Sequence, residues 1–245
     1  PPRVSEITAA WDGREDEAWM ERPEMVATGP HSGYIKRTPR DTFRAQRRGG
    51  KGRAGMATKD EDAVTELFVT STHTPVLFFS THGKVYRLKV WKLPEGGPQT
   101  KGRPMVNLLP LADGETISTV LPLPEDEAEW AALHVMFATA KGGVRRNSMD
   151  SFTNVPSNGK FAMKFDEDSD DRLIGVKLLS DNDDVLLATN NGKAIRFAGD
   201  AVRSFQSRTS TGVRGIALKD DDEVISLSVL KGFEATTEER DQYLK

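Results

Sequence analysis

Four copies of one short pattern constrain this chain more than any other feature: a β-branched or aromatic strand, a glycine turn, and a second strand that ends in arginine. The copies read His31-Ser32-Gly33-Tyr34-Ile35-Lys36-Arg37, Thr81-His82-Gly83-Lys84-Val85-Tyr86-Arg87, Lys141-Gly142-Gly143-Val144-Arg145-Arg146 and Asn191-Gly192-Lys193-Ala194-Ile195-Arg196. Aligned on Gly33, Gly83, Gly142 and Gly192, they recur at intervals of 50, 59 and 50 residues. Val76 to Ser80, Val135 to Thr139 and Val185 to Thr189 precede three of these turns as continuous apolar runs, the mark of strands buried on both faces. A second glycine follows each unit, at Gly52, Gly102, Gly159 and Gly212. An acidic turn then leads into a further strand: Leu67 to Thr70, Thr116 to Leu121, Leu173 to Leu179 and Val224 to Leu230. Each repeat is thus expected to hold about four strands.

Four-stranded units repeated at such a period build a blade architecture, in which each sheet buries its faces against its neighbours. The expected fold class is all-β. Stacked hairpins in a β-sandwich are the alternative, although sandwiches rarely keep so regular a period. Helical patterning is confined to Glu125 to Leu133 and Glu234 to Lys245. With 245 residues and 37% hydrophobic content, the chain suffices for one large or two small domains with a real core.

Charge is distributed unevenly. The formal net charge is −3, but acids crowd into residues 12 to 24, 60 to 66, 125 to 129, 166 to 171, 181 to 184 and 220 to 223. Those runs fall mostly at turns, so the mean conceals separate acidic and basic faces. Between His31 and Arg53 the cations are Lys36, Arg37, Arg40, Arg44, Arg47, Arg48, Lys51 and Arg53, opposed only by Asp41. At the centre of this stretch stands Gln46-Arg47-Arg48-Gly49-Gly50-Lys51-Gly52. The heptad has no apolar side chain to bury, and its glycines let backbone N–H groups and cations converge on phosphate oxygens. A solvated turn with incidental charge is the bland reading, and the concentration of Arg44, Arg47, Arg48 and Lys51 around three glycines argues against it.

The heptad, with Tyr34-Ile35-Lys36-Arg37-Thr38-Pro39 before it and Arg53-Ala54-Gly55 after it, resembles the box of the C-terminal domain of the A subunit of bacterial DNA gyrase. The resemblance runs from about Pro23 to Leu230. It implies a β-pinwheel, a propeller-like disc usually of six blades that wraps duplex DNA around a basic rim. Four blades are visible here, over residues 24–72, 73–124, 131–181 and 182–230, within a wrapping domain at 24–230. Residues 1–23, with Trp11 and Trp19 among acids, read as a linker from a catalytic core, and 231–245 as a polar tail or inter-blade linker. The chain opens on Pro1-Pro2 without Met and reads as a piece of a longer one. The related topoisomerase IV domain lacks an intact box, so the heptad favours gyrase.

The resemblance implies that Arg44, Gln46, Arg47, Arg48, Gly49, Gly50, Lys51, Gly52 and Arg53 form a DNA-contacting loop, Gln46 holding its shape. Repetition extends the set. One residue of each of the pairs Lys36 or Arg37, Lys84 or Arg87, Arg145 or Arg146, and Lys193 or Arg196 is expected on a rim of phosphate contacts, since repeats put equivalent positions on equivalent sides. Ordinary strand-edge charge is the alternative for any single member. Lys101, Arg103 and Arg214 stand where the heptad stands in the first repeat and extend the track in degenerate form.

Three catalytic motifs fail on inspection. Gly50-Lys51-Gly52-Arg53-Ala54-Gly55 fits G-x-G-x-x-G, but neither a buried strand before it nor a helix start after it is present. Ala45 occupies the first glycine of a phosphate loop. Asp166 to Asp171 imitates a calcium loop until Asp171 replaces the required glycine and Lys177 the terminal glutamate. The four histidines are scattered without spaced carboxylates, and cysteine is absent, which removes disulfides and thiolate ligands. No run approaches the roughly 20 apolar residues of a membrane helix.

No catalytic residue and no cofactor are therefore expected in this chain, while the parent complex implied by the resemblance uses ATP and Mg2+ in its other parts. The expected partners are double-stranded DNA, the gyrase A catalytic core and gyrase B in an A2B2 assembly, with no membrane and a cytoplasmic location. Two other readings stand beside this one. A topoisomerase IV type of domain would select DNA crossings, and a propeller-like scaffold would bind a basic partner through acidic turns such as Asp181 to Asp184 and Asp220 to Glu223.

Overall fold

A computed structural model describes residues 21–30, 33–43, 64–166, 168–219 and 221–232, with the isolated positions 238 and 242. The first repeat supplies β1 (Glu24–Pro30), β2 (Tyr34–Pro39) and β3 (Val64–Ser71). The second supplies β4 (Pro75–Ser80), β5 (Lys84–Lys89), β6 (Arg103–Pro104) and β7 (Ile117–Pro122). In the third are β8 (His134–Thr139), β9 (Gly143–Ser148), β10 (Lys160–Phe161) and β11 (Leu173–Leu179). The fourth holds β12 (Asp183–Thr189), β13 (Ala194–Ala198), β14 (Val213–Arg214) and β15 (Val224–Lys231).

The hairpins follow from turn chemistry. Gly33, Gly83, Gly142 and Gly192 sit at φ of 78°, 77°, 87° and 82°, a left-handed conformation that side chains disfavour and a tight reversal requires. After the second strand of every repeat the chain makes a short 3-10 turn, at Arg40–Thr42, Val90–Lys92, Met149–Phe152 and Gly199–Ala201. The expected helix near Glu125 is a 3-10 helix, Glu127–Ala132, capped by Asp126, whose side chain accepts from Ala128 N at 2.9 Å.

Pairing departs from the one-repeat, one-blade expectation. The sheets run β3-β1-β2-β6, β10-β5-β4-β7 and β11-β8-β9-β14, with a three-stranded β13-β12-β15. In each of the first three sheets, one edge strand comes from the following repeat. β6 pairs with β2 through Ile35↔Arg103, β10 with β5 through Val85↔Lys160, and β14 with β9 through Val144↔Val213. The sequence periods and the folded blades are therefore offset by one strand, and the boundaries 24–72, 73–124, 131–181 and 182–230 divide repeats rather than sheets.

Each core lies between two sheets. Met25, Ala27 and Ile35 pack on Val76, Phe78, Tyr86 and Val120. On the far side of the same second sheet, Leu77, Phe79 and Val85 pack on Val135 and Phe137, with Phe79 edge-on to Phe137 and Phe152 at centroid distances of 5.6 and 5.9 Å. Met136, Ala138 and Val144 then meet Val185, Leu187 and Leu227. β4 is buried at every position because sheets cover both its faces. β12 alternates buried and half-buried residues instead, which corrects the expectation for Val185 to Thr189: among the described residues, a sheet covers only one of its faces.

Candidate nucleic-acid interface

The strand order defines an inner and an outer edge. β3, β7, β11 and β15 pack in succession against one another, as β3 on β7, β7 on β11 and β11 on β15. In the first three sheets the exchanged strand lies at the opposite edge. Loops 96–102, 153–159 and 206–212, which precede the exchanged strands, are thus carried to the outer edge of the preceding blade. By alignment of Gly102, Gly159 and Gly212 with Gly52, these loops are the counterparts of Gln46 to Gly52. The heptad itself, with Arg44 and Arg53, lies outside the described residues.

Among the described residues, four of the expected site residues face solvent. Arg103, Lys193, Arg196 and Arg214 are exposed, and Lys101 is half-buried with its ammonium 4.0 Å from the Tyr34 ring centroid. Lys193 Nζ donates to Ala217 O at 3.1 Å, and Arg196 pairs with Asp184 at 2.7 Å. Lys84 is half-buried, 5.7 Å from the Phe161 ring. Exposed pairs of this kind contribute little to stability and yield readily to a phosphate.

The arginines that close the strands are largely occupied within the protein. Arg37 donates from Nε to Leu93 O at 2.9 Å and pairs with Glu95 at 2.8 Å. Arg87 donates to Thr153 O at 2.6 Å, pairs with Glu127, and stacks 5.2 Å from the Trp130 ring. Arg146 Nε is enclosed with no hydrogen-bond partner, while its carbonyl accepts from Phe205 N at 2.7 Å. Arg37 and Arg87 reach forward with their side chains to the segment leading into or connecting the next repeat, and Arg146 meets it through its backbone carbonyl.

Two of the expected rim residues are not on the surface. Lys36 and Arg145 are fully buried. Lys36 Nζ donates to the carbonyls of Gly97, Pro98 and Thr100 at 2.7, 3.0 and 2.9 Å. Arg145 donates to Arg208 O at 2.8 Å, to Ser210 O and Ala162 O, and from Nε to Asn147 Oδ1 at 2.6 Å. Burial holds the Lys36 ammonium below its ordinary pKa. It pushes Arg145 down to about 10, with a smaller contribution from the like charge of Arg208. Alternation along β2 and β9 turns one residue of each pair inward, so Lys36 and Arg145 correct the rim assignment at their own positions.

Several carboxylates of the acidic turns are engaged by the fold as well. Asp183 is buried, accepting from Ser180 N and Lys231 Nζ at 2.7 and 2.9 Å, and these bonds hold its carboxyl below the usual range. Asp222 accepts from Asn191 N and Glu223 N at 3.0 Å each. Asp171 does the same for Lys141 N and Arg172 N at 2.9 Å, and Glu223 pairs with Arg172 at 2.7 Å. A scaffold that captured a basic partner through Asp183, Asp222 or Glu223 would first have to break those bonds.

Comparison with known proteins settles the family. The DNA gyrase C-terminal domain, beta-propeller family matches at residues 31–71, 74–124, 133–180 and 183–231, one match per repeat. The chain belongs to this family. The DNA gyrase A subunit of Rickettsia bellii (strain RML369-C) is 53% identical over 243 residues, covering 99% of this chain and 27% of that protein. The chain thus spans about a quarter of the length of the curated relatives it matches. A solved structure of a DNA gyrase A C-terminal domain superposes with a TM-score of 0.62 at 22% identity, over 85% of this chain and 65% of that one. The C-terminal domain of a DNA topoisomerase IV gives 0.71 at 22% identity, over 86% and 62%. These two share the fold, an all-β pinwheel.

Within this gyrase-family domain, two further outer-edge cations escaped the reading by repeats. Arg208 lies in loop 206–212, and Lys160 opens β10 and donates to Ser151 O and Asn154 O at 3.2 and 2.9 Å. Both could have been found by extending the glycine alignment through the whole loop, since Arg208 precedes Gly212 and Lys160 directly follows Gly159.

Proposed function

We propose that this chain binds and wraps duplex DNA around its outer edge, as the wrapping module of the gyrase A protein, and carries no catalytic centre of its own. The observation that supports it most directly is the strand exchange, which brings each described counterpart of the cationic heptad to the outer edge of the blade before it. Exposed Arg103 and Arg214 and half-buried Lys101 then lie along that edge. Contact with phosphates would be repaid against DNA stiffness, about 1 to 6 kcal/mol for a 20 to 30 bp segment bent through 40 to 90°. Many weak contacts over several blades suit that balance better than one strong site. Loops of glycine, lysine and arginine place no helix in the major groove, so sequence-independent binding follows.

The intact heptad Gln46 to Gly52 favours wrapping of the gyrase type over crossing selection of the topoisomerase IV type. In this reading the partners are a gyrase A catalytic core and gyrase B in an A2B2 assembly that supplies ATP and Mg2+ chemistry, in the cytoplasm. The test is ligation of a nicked circular plasmid with the chain bound, at two salt concentrations, followed by topoisomer separation. A salt-sensitive shift in linking number supports wrapping of defined hand. Salt-sensitive binding without a shift would refute it.

A further inference from the structure

The loops that carry outer-edge cations are held from beneath by buried cations of the preceding repeat. Lys36 gathers three carbonyls of loop 96–102, and its neighbour on the same face, Thr38, donates to a fourth, Gly96 O, at 2.7 Å. The equivalent positions two repeats later are Arg145 and Asn147. Arg145 takes the carbonyls of Arg208 and Ser210, and Asn147 Nδ2 those of Phe205 and Ser207 at 2.7 and 3.3 Å. The second repeat differs. Its Tyr86 turns to Glu115 at 3.1 Å, and the loop that follows, 153–159, contains no Lys or Arg.

A buried charge is a poor choice for stability alone, since an apolar side chain of similar volume commonly does as well or better. What a cation adds is direction. A trans peptide holds its C=O and the following N–H antiparallel, and no cis bond occurs among the described residues. Carbonyls of Pro98, Thr100 and Ser210 drawn toward the buried cation therefore turn the N–H groups of Gln99, Lys101 and Thr211 the other way. Oriented amides beside Lys or Arg form the kind of surface that accepts a phosphate.

We propose that Lys36 and Arg145 are positioning residues for DNA binding: each gathers the carbonyls of the next repeat's loop inward and so turns its amides, and the side chains of Lys101, Arg103, Arg208 and Arg214, toward the phosphate backbone. This rests on the wrapping function proposed above. It makes adjacent repeats interdependent, because the anchor lies in one and the contact in the next.

The experiment is equilibrium binding of the whole chain to a linear duplex over a range of salt, with amide hydrogen exchange on the same samples. Each phosphate neutralised contributes about 0.9 to the slope of log affinity against log salt. Lys36→Met is expected to lower that slope by about 1 to 2, as far as the double variant Lys101→Ala, Arg103→Ala does, and the triple variant no further. Lys36→Arg restores the slope, since a guanidinium performs the same task at Arg145. Exchange of the Thr100 amide, which donates to Gly97 O at 3.1 Å, accelerates in Lys36→Met while β4 and β8 stay as slow as in the unmodified chain. A full slope despite accelerated loop exchange overturns the inference, as does an additive loss in the triple variant. If Lys36→Met loses the slow amides of β4, Thr38→Val, which removes only the bond to Gly96 O, takes its place with the same expected fall, and an unchanged slope there overturns the inference. An unmodified chain with no salt-dependent binding overturns the wrapping reading and this one together. An unmodified chain that binds, with variants that bind alike, overturns this one alone.

Discussion

Gly83 and Gly192 occupy the same hairpin position, at φ of 77° and 82°, yet the segment that follows an exchanged strand lies against only the first of them. A Cβ on Gly83 would collide with the Met163 carbonyl oxygen and lie 3.0 Å from its carbon and 3.1 Å from Phe165 Cε2, whereas one on Gly192 meets nothing within 4 Å. Alanine at either position carries the left-handed cost of about 1 to 2 kcal/mol. At Gly83 the neighbour is backbone and cannot swing aside. Relief requires the segment after β10 to withdraw, which breaks the bonds from Ala162 N and Met163 N to Gly83 O at 2.8 and 2.9 Å. Those two bonds amount to about 1 to 3 kcal/mol together, and Met163, fully buried, would lose part of the roughly 1.5 to 3 kcal/mol of its burial. Gly83→Ala is therefore expected to destabilise by about 3 to 6 kcal/mol and Gly192→Ala by about 1 to 2 kcal/mol. Urea denaturation of both variants measures the difference, provided the slope m is shared so that midpoints report stability. Equal losses would refute the reasoning, because they would mean that the exchanged strand adds nothing at the hairpin turn.

Three other outcomes are expected. Replacing Arg47, Arg48 and Lys51 together with Ala should abolish the linking-number shift in the nicked-plasmid assay and leave the melting temperature within a degree or two, since the heptad has no apolar side chain whose burial could be lost. A substantially lowered melting temperature would show that the heptad is structural. Trp130→Ala should cost about 3 to 5 kcal/mol in chemical denaturation, since Trp130 is fully buried, donates to Pro124 O at 2.9 Å and supports Arg87. Asp183 has a folded pKa below its unfolded one, through Lys231 and then Ser180 N, so the unfolded chain binds more protons and stability rises with pH through that window. Its contribution is complete above the ordinary carboxylate range and is lost as pH falls through the depressed value. Melting of Asp183→Asn should accordingly lie below that of the unmodified chain at neutral pH and converge with it in acid; a constant gap across pH would contradict the assignment.

Much of the architecture was readable in advance. β11 was expected at Leu173 to Leu179 and occupies those residues. β4, β8 and β12 begin within two residues of the expected Val76, Val135 and Val185. Apolar runs bounded by glycine turns specify strands locally, and four copies at intervals of 50 to 59 residues specify a repeated sheet. The exchanged strands β6, β10 and β14 were not readable, because two residues such as Arg103–Pro104 have no periodicity of their own. Their partners lie in another repeat. The site followed the same division. Cations in glycine loops were visible as residues, but which member of each strand-end pair turns inward was not: Lys36 and Arg145 both turn onto carbonyls of the following repeat.

By itself, then, the sequence determined the strand content, the hairpin positions, the repetition and the cationic character of the glycine loops, all of which depend on a few neighbouring residues. Only the tertiary structure decided which strand completes which sheet and which cations reach solvent. Strand pairing between repeats and the burial of a side chain are properties of two distant segments at once. Lys36 has the same local setting as an exposed lysine until loop 96–102 of the next repeat closes over it. From that point its charge serves the fold rather than the surface.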